Sequence, residues 1–430
     1  MNAIKQNEIP ATGAIMPVSS HDRKILKTLA FQKAEIAALP IHQEKKILWQ
    51  KLNDKQSVRP MVWINEVCWH EMNINDELTL QCEGAWARNQ ELILRKELYQ
   101  WKHFPCDMII DPWIYCQKII CSTEFGITEQ AVILKTDDQN SIVSHHYETQ
   151  IESFADLEKI KIPEIRYDGT ATELHYEMMS ELFSEILPVK KEGQKHIWFT
   201  PWDFLIRVIG AETAMLMMYE NPELVHAMVD RVVDAWMNKL DQLVEQNLLS
   251  LDCNNTRIGS GGYGYVSDLP GNDYHPDKIL PHNMWGCSNA QIFSEISPEF
   301  HWEFAVAHDL RWMERWGLNY YGCCEQLDNK AGVLAKIPNL RKVSVSPWCN
   351  TERAIENLGE KYVLSRKPNP AILAEGMWHP ERARKDIRTF LNAAERRCHI
   401  ELIMKDISTV RYHPQRLWEW AQIAMEEVSG

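Results

Sequence analysis

Short apolar runs recur along this chain, and each breaks off in polar or reactive side chains. Met61-Val62-Trp63-Ile64 ends in Asn65-Glu66, Asn319-Tyr320-Tyr321 in Gly322-Cys323-Cys324-Glu325, and Lys342-Val343-Ser344-Val345 in Ser346. Tyr362-Val363-Leu364 ends in Ser365-Arg366-Lys367, and Glu401-Leu402-Ile403-Met404 in Lys405-Asp406. Strands buried on both faces read as such runs. Further runs at Met108-Ile109-Ile110, His196-Ile197-Trp198-Phe199, Leu249-Ser250-Leu251 and Gln291-Ile292-Phe293 give one strand more than an eight-stranded ring needs, and the surplus is expected at 291 or 108. Helical spacing predicts helices over 92–104, 211–218, 224–245, 351–358 and 380–395. Another opens at Ser297-Pro298-Glu299 and runs to about Trp316, with Ser297 as N-cap and Pro298 at the first helical position. Strand and helix alternate as in an α/β protein of (β/α)8 TIM-barrel type, whose strand ends carry the chemistry.

Residues 1 to about 20 lack periodicity and read as a loose arm. A helix from His21 and a second over Ile41–Leu52 follow, stopped by Arg59-Pro60, so 1–58 is expected as an arm and helical layer and 59–430 as the barrel. A β insertion around 117–150 is predicted from Lys118–Cys121, Gln130–Leu134 and Ser141–His146. Its His145-His146 pair faces opposite ways on a strand, so at most one ring points to a given site.

Composition narrows the function classes. The formal net charge of -14 over 430 residues, without a compensating basic run, disfavours nucleic acid. No stretch reaches a membrane span and no secretion signal opens the chain, so a cytoplasmic protein is expected. The 11 Cys lack CxxC pairs, as in a reducing compartment.

The candidate chemistry sits at the strand ends. Glu66, Glu295 and Glu325 are carboxylates whose burial beside aromatic rings would suit a general acid, and Asp406 is placed to shuttle a proton. Arg257, Lys367 and Lys405 are candidates to hold an anionic substrate, or to pair with Glu325 and Asp406 as a rim network. Among the 17 Trp, Trp63, Trp202 and Trp285 stand beside these motifs, with Trp69, Trp113 and Trp348 nearby, and are expected as aromatic walls or core filling. The run Gly259-Ser260-Gly261-Gly262-Tyr263-Gly264 lacks the features of a phosphate loop and reads as a mobile lid or close-approach loop.

Phe293-Ser294-Glu295-Ile296-Ser297-Pro298-Glu299, Gly322-Cys323, Ser344-Val345-Ser346, the 359–369 stretch and Lys405-Asp406-Ile407-Ser408 together resemble the uroporphyrinogen decarboxylase superfamily. That superfamily includes decarboxylases and cobalamin-dependent methyltransferases. The resemblance implies a distorted (β/α)8 barrel with a deep pocket. Porphyrinogen is disfavoured, because Met61 to Glu66 stands where the decarboxylases carry an Arg-rich segment. The methyltransferases hold zinc through His-x-Cys and a distant Cys; here Tyr321 and Asp406 occupy the corresponding places. The resemblance therefore makes Cys323, Cys324, Glu325 and Asp406 candidate zinc ligands. It implies transfer of a methyl group from an aryl methyl ether or methylated amine to a corrinoid on a partner protein. The alternative is a metal-free decarboxylase or other lyase of a small carboxylated substrate. A corrinoid protein and a second copy of the chain are the candidate partners.

Overall fold

The computed structural model describes residues 18–134, 144–395 and 397–430. In chain order its strands are β1 (Met61–Ile64), β2 (Ile114–Gln117), β3 (Ile120–Ser122), β4 (Ala131–Leu134), β5 (Ser144–Tyr147), β6 (Ile165–Tyr167), β7 (Val189–Glu192), β8 (Trp285–Ser288), β9 (Leu318–Tyr321), β10 (Leu340–Val345), β11 (Val363–Arg366) and β12 (His399–Met404). Six of them build one parallel sheet in the order β1-β12-β11-β10-β9-β8. Sequential parallel order with helical crossovers is the arrangement of a TIM-like fold.

Four predicted strands are not regular strands. The 108 segment lies beside β1 without a ladder, although Asp107 N–H donates to the Val62 carbonyl at 2.9 Å. The 197 and 249 segments share only a bridge between Gln194 and Leu249. Gln291–Phe293 is a 3-10 turn, and the strand sits just before it at β8, where Trp285-Gly-Cys-Ser is fully buried despite its weak strand propensity.

Alternation along the strands divides the side chains between two faces. Val62, Ile64, Tyr321, Val343, Val345, Leu364, Ile400, Leu402 and Met404 belong to the main core beneath the helices. Met61, Val363 and Ile403 pack on the opposite, inner face with Trp49 and Tyr263, while Trp285, Cys287, Leu318 and Tyr320 pack there with Ile258. The glycine-rich run is therefore not a lid: residues 258–264 are buried against this inner face. A Cβ at Gly261 would collide with the Glu401 carboxylate, and one at Gly262 with the Trp49 ring.

Helices Ser20–Ala37 and Ile41–Asn53 precede β1, and the second supplies Trp49 to the inner face. Ala211–Glu220, Pro222–Glu245, Thr351–Leu358 and Pro380–Ala394 match the predicted helices closely, while Ala85–His103 starts about two turns before the predicted 92–104. Ser297 caps its helix by accepting from Phe300 N–H at 3.3 Å. That helix passes through a π-helical segment, Trp302–Val306, before Ala307–Met313. The β pieces extend past the predicted insertion, since β3 pairs with β6 and β2 with β7. β4 and β5 pair antiparallel, while 135–143 lies outside the described residues. His145 stacks on Tyr147 within that hairpin. No helix among the described residues is long and apolar enough to cross a membrane.

Candidate active site

The inner face carries a column of polar side chains. Deepest is the ion pair Lys342–Glu401, 3.0 Å apart with neither side chain exposed. Glu401 also accepts from Gly262 N–H at 3.0 Å, and Lys342 donates to the Tyr263 carbonyl at 3.2 Å, so the glycine run closes the pair off from below. Lys367 stands next in the column. Its ammonium donates to Tyr320 Oη at 2.5 Å, to Ser365 Oγ at 2.8 Å and to the Ser365 carbonyl at 2.9 Å. Tyr320 in turn shares a 2.9 Å hydrogen bond with Ser260. Burial pushes the Lys367 amine down to about 7, against the pull of Glu401.

At the strand ends the column opens into a charged mouth. Lys405, only 2% exposed, contacts Glu66 at 3.2 Å, Cys323 Sγ at 3.7 Å and the Asp406 carboxylate. Arg257 reaches Glu66 from the glycine-rich segment at 2.7 Å. Cys323 and Cys324 lie with sulfurs 3.7 Å apart, and the Cys324 thiol points to Asp406 Oδ2 at 3.9 Å. Their approach depends on Gly322, whose φ of 99° ends β9 in a turn that a side chain would block against Leu327 and Ser344. Glu66 (φ 50°) and Asp406 (φ 55°) both hold left-handed backbone, strain of the kind that collects at functional sites.

These neighbours set the protonation states. Burial works to raise the Glu66 carboxyl, but Arg257 and Lys405 outweigh it and hold Glu66 well below the usual carboxylate range. Burial, reinforced by Glu66, raises Asp406 above its ordinary value although Lys405 opposes it. Lys405 is raised despite burial, because Cys323, Asp406, Glu66 and Cys324 surround it. Within the thiol pair the hydrogen bond to Cys324 raises Cys323, and the same bond lowers Cys324.

Glu66, Arg257, Cys323, Cys324, Lys405 and Asp406 thus share the mouth, with Lys367 below them. Glu325 is separate: its oxygens accept from Ala290 N–H at 2.9 Å and Cys323 N–H at 2.8 Å, so it fixes two strand ends. Glu295 is exposed and takes a hydrogen bond from Gln326. Trp202 and Trp285 are core residues whose indole N–H groups donate to the Phe304 and Gly264 carbonyls. Trp63 packs against Tyr263 on the inner face with ring centroids 4.6 Å apart and planes tilted by 44°, whereas Trp348 is largely exposed. The zinc expectation does not fit. Glu325 is committed to backbone, the Lys405 cation sits among the remaining anions, and no group of three or more His, Cys, Asp or Glu among the described residues is placed to hold a metal ion.

Several inner-face residues stood in the strand motifs but were given no role. Lys342, Ser344 and Ser346 alternate with Val343 and Val345, and that alternation was the available signal for an inward polar row. Asn65 and Asn289 follow β1 and β8 in the same inward phase as Trp63 and Cys287. Both their amide oxygens and nitrogens are buried without partners, as is Arg257 Nε. Unpaired buried amides are rare in proteins, and a polar ligand between these strand ends would satisfy them.

A solved methyltransferase from Methanosarcina mazei has a similar fold, at 11% sequence identity and a TM-score of 0.50, with 90% of this chain and 99% of that chain covered. At this identity the likeness establishes architecture. No family model matches the chain, and no curated protein matches it.

Proposed function

We propose that this chain is an enzyme that moves a methyl group from a small methylated substrate, an aryl methyl ether or a methylated amine, to a corrinoid carried by a partner protein. The observation that carries this reading is the mouth, where a protonatable Asp406 lies beside the Lys405 and Arg257 cations. Removing a methyl group from oxygen or nitrogen leaves a basic atom that needs a proton, and Asp406, 42% exposed at the opening, is placed to give one. With Asp406 protonated, Lys405 and Arg257 face the single carboxylate of Glu66, and the surplus positive charge suits the carboxylate of a methoxybenzoate or of a methylated amine that carries one. Asn65, Asn289 and Arg257 Nε supply further hydrogen bonds. The similarity in fold to a methyltransferase supports the same reading. On it, two of the 107–111, 194–199 and 249 segments join the six-stranded sheet to close a (β/α)8 ring related to the uroporphyrinogen decarboxylase superfamily.

The test is methylation of cob(I)alamin by the purified protein with a panel of methoxybenzoates and quaternary amines. Asp406→Asn, which tolerates the left-handed backbone, should reduce the rate by about 10²- to 10⁴-fold. Lys367 favours a second reading, a metal-free lyase of a small carboxylated substrate, because an amine near 7 can protonate a carbanion left by carbon dioxide. Carbon dioxide release without methylation of cobalt would replace the first reading with the second.

A further inference from the structure

The charged mouth holds two adjacent thiols that proton donation to a leaving group does not use. Cys323 is buried, whereas Cys324 is half-buried and faces the opening. The Cys324 sulfur lies 3.7 Å from Cys323 Sγ and 3.9 Å from the Asp406 carboxylate, and Lys405 bridges Cys323 to Asp406. A thiol with a carboxylate to take its proton, a neighbouring S–H to donate back and a buried ammonium to hold the charge has the parts of an activated nucleophile.

We infer that Cys324 is the covalent nucleophile of this site, taking the methyl group from the substrate onto its own sulfur before the acceptor receives it. The inference rests on the methyltransferase reading. In the first step the protonated Asp406 of that reading carries the proton that came from the Cys324 thiol, and the Cys324 sulfur attacks the methyl carbon. The S–C bond forms as the C–O or C–N bond breaks, and Asp406 passes the same proton to the departing oxygen or nitrogen. In the second step the methyl group leaves for the nucleophilic acceptor and its bonding electron pair returns to the Cys324 sulfur, beside Lys405. No oxidant or reductant enters either step; the second regenerates the Cys324 thiolate, and Asp406 recovers from solvent the proton it gave to the leaving group. Cys324 is lowered by its bond from Cys323, which agrees with this geometry. Cys323 positions the nucleophile rather than reacting.

Iodoacetamide labelling of the full chain near pH 7, read peptide by peptide in a mass spectrometer, tests the nucleophile directly. Cys324 should alkylate about tenfold or more faster than Cys121, Cys253 and Cys398, which are also half-buried. Lys405→Met and Asp406→Asn should each remove most of that advantage. Cys324 labelling no faster than Cys121, or unchanged in both variants, would overturn the assignment. Incubation with a methyl arenesulfonate and no acceptor should add one methyl group to the Cys324 peptide, and Cys324→Ser should abolish it while keeping the wild-type circular dichroism spectrum. Methylation of cob(I)alamin persisting at the wild-type rate in Cys324→Ser would remove the covalent step and leave the methyltransferase reading intact. A hyper-reactive Cys324 in a protein that never methylates cobalt would retain the nucleophile and remove that reading.

Discussion

Lys367 shows how burial, helped by the nearby Lys405 and Arg257 cations, can convert a lysine into a titrating group. Its amine falls from the ordinary 10.5 to about 7, so between those values the unfolded chain holds a proton that the folded chain lacks. Stability therefore rises with pH across that window, and below about 7 the full penalty of a buried charge is present. Compared with Lys367→Met, the wild-type protein should gain about 1 kcal/mol per pH unit on raising pH from about 7 to 10, measured as the difference between two urea titrations. A flat difference would mean that the amine is solvated. The Lys342–Glu401 pair makes a second demand at this scale. Lys342→Met leaves Glu401 charged and unpaired among Gly262, Tyr263 and Tyr320, and should cost about 3–5 kcal/mol. Adding Glu401→Gln should recover much of that loss. These residues were partly legible beforehand: Glu66, Lys405 and Asp406 announced themselves as charged strand ends. Glu325 looked identical on paper, and only its two backbone hydrogen bonds separate a structural carboxylate from a chemical one.

Elements were read with uneven success for physical reasons. Long helices such as Pro222–Glu245 carry enough periodic positions to declare themselves. β8 does not, because Trp285-Gly286-Cys287-Ser288 owes its strand conformation to neighbours on β9 rather than to its own propensity. Of the two readings of the glycine-rich run, the close-approach loop fits and the lid does not, because glycine reports close approach without naming what approaches. Here it is the protein itself, Tyr320, Glu401 and Trp49. Gly262→Ala should therefore destabilise the fold by about 1–3 kcal/mol, the usual range for overpacking, instead of altering a loop that opens and closes. An unchanged thermal midpoint would contradict the tight packing.

Taken whole, the chain places its chemistry where parallel α/β architecture places it, at the carboxyl ends of the strands. Its departure from the expected pattern is the lysine that sits among the anionic groups where a zinc ion was anticipated. Treatment with a chelator should accordingly leave both the melting temperature and methyl transfer unchanged, whereas a loss of either that added zinc restores would reinstate the metal. Of the two readings of the Trp residues, core filling is the one Trp202 and Trp285 follow, a choice that abundance alone cannot make. The buried glycine segment has one more consequence. Ile258, Tyr263 and Tyr265 pack against the sheet's inner face, so on the covalent reading donor and acceptor would both approach from the strand-end mouth and take turns there. A donor must unload and depart before an acceptor is admitted, so initial rates measured at several fixed acceptor concentrations should give parallel double-reciprocal lines; lines that intersect would mean that both molecules fit inside together.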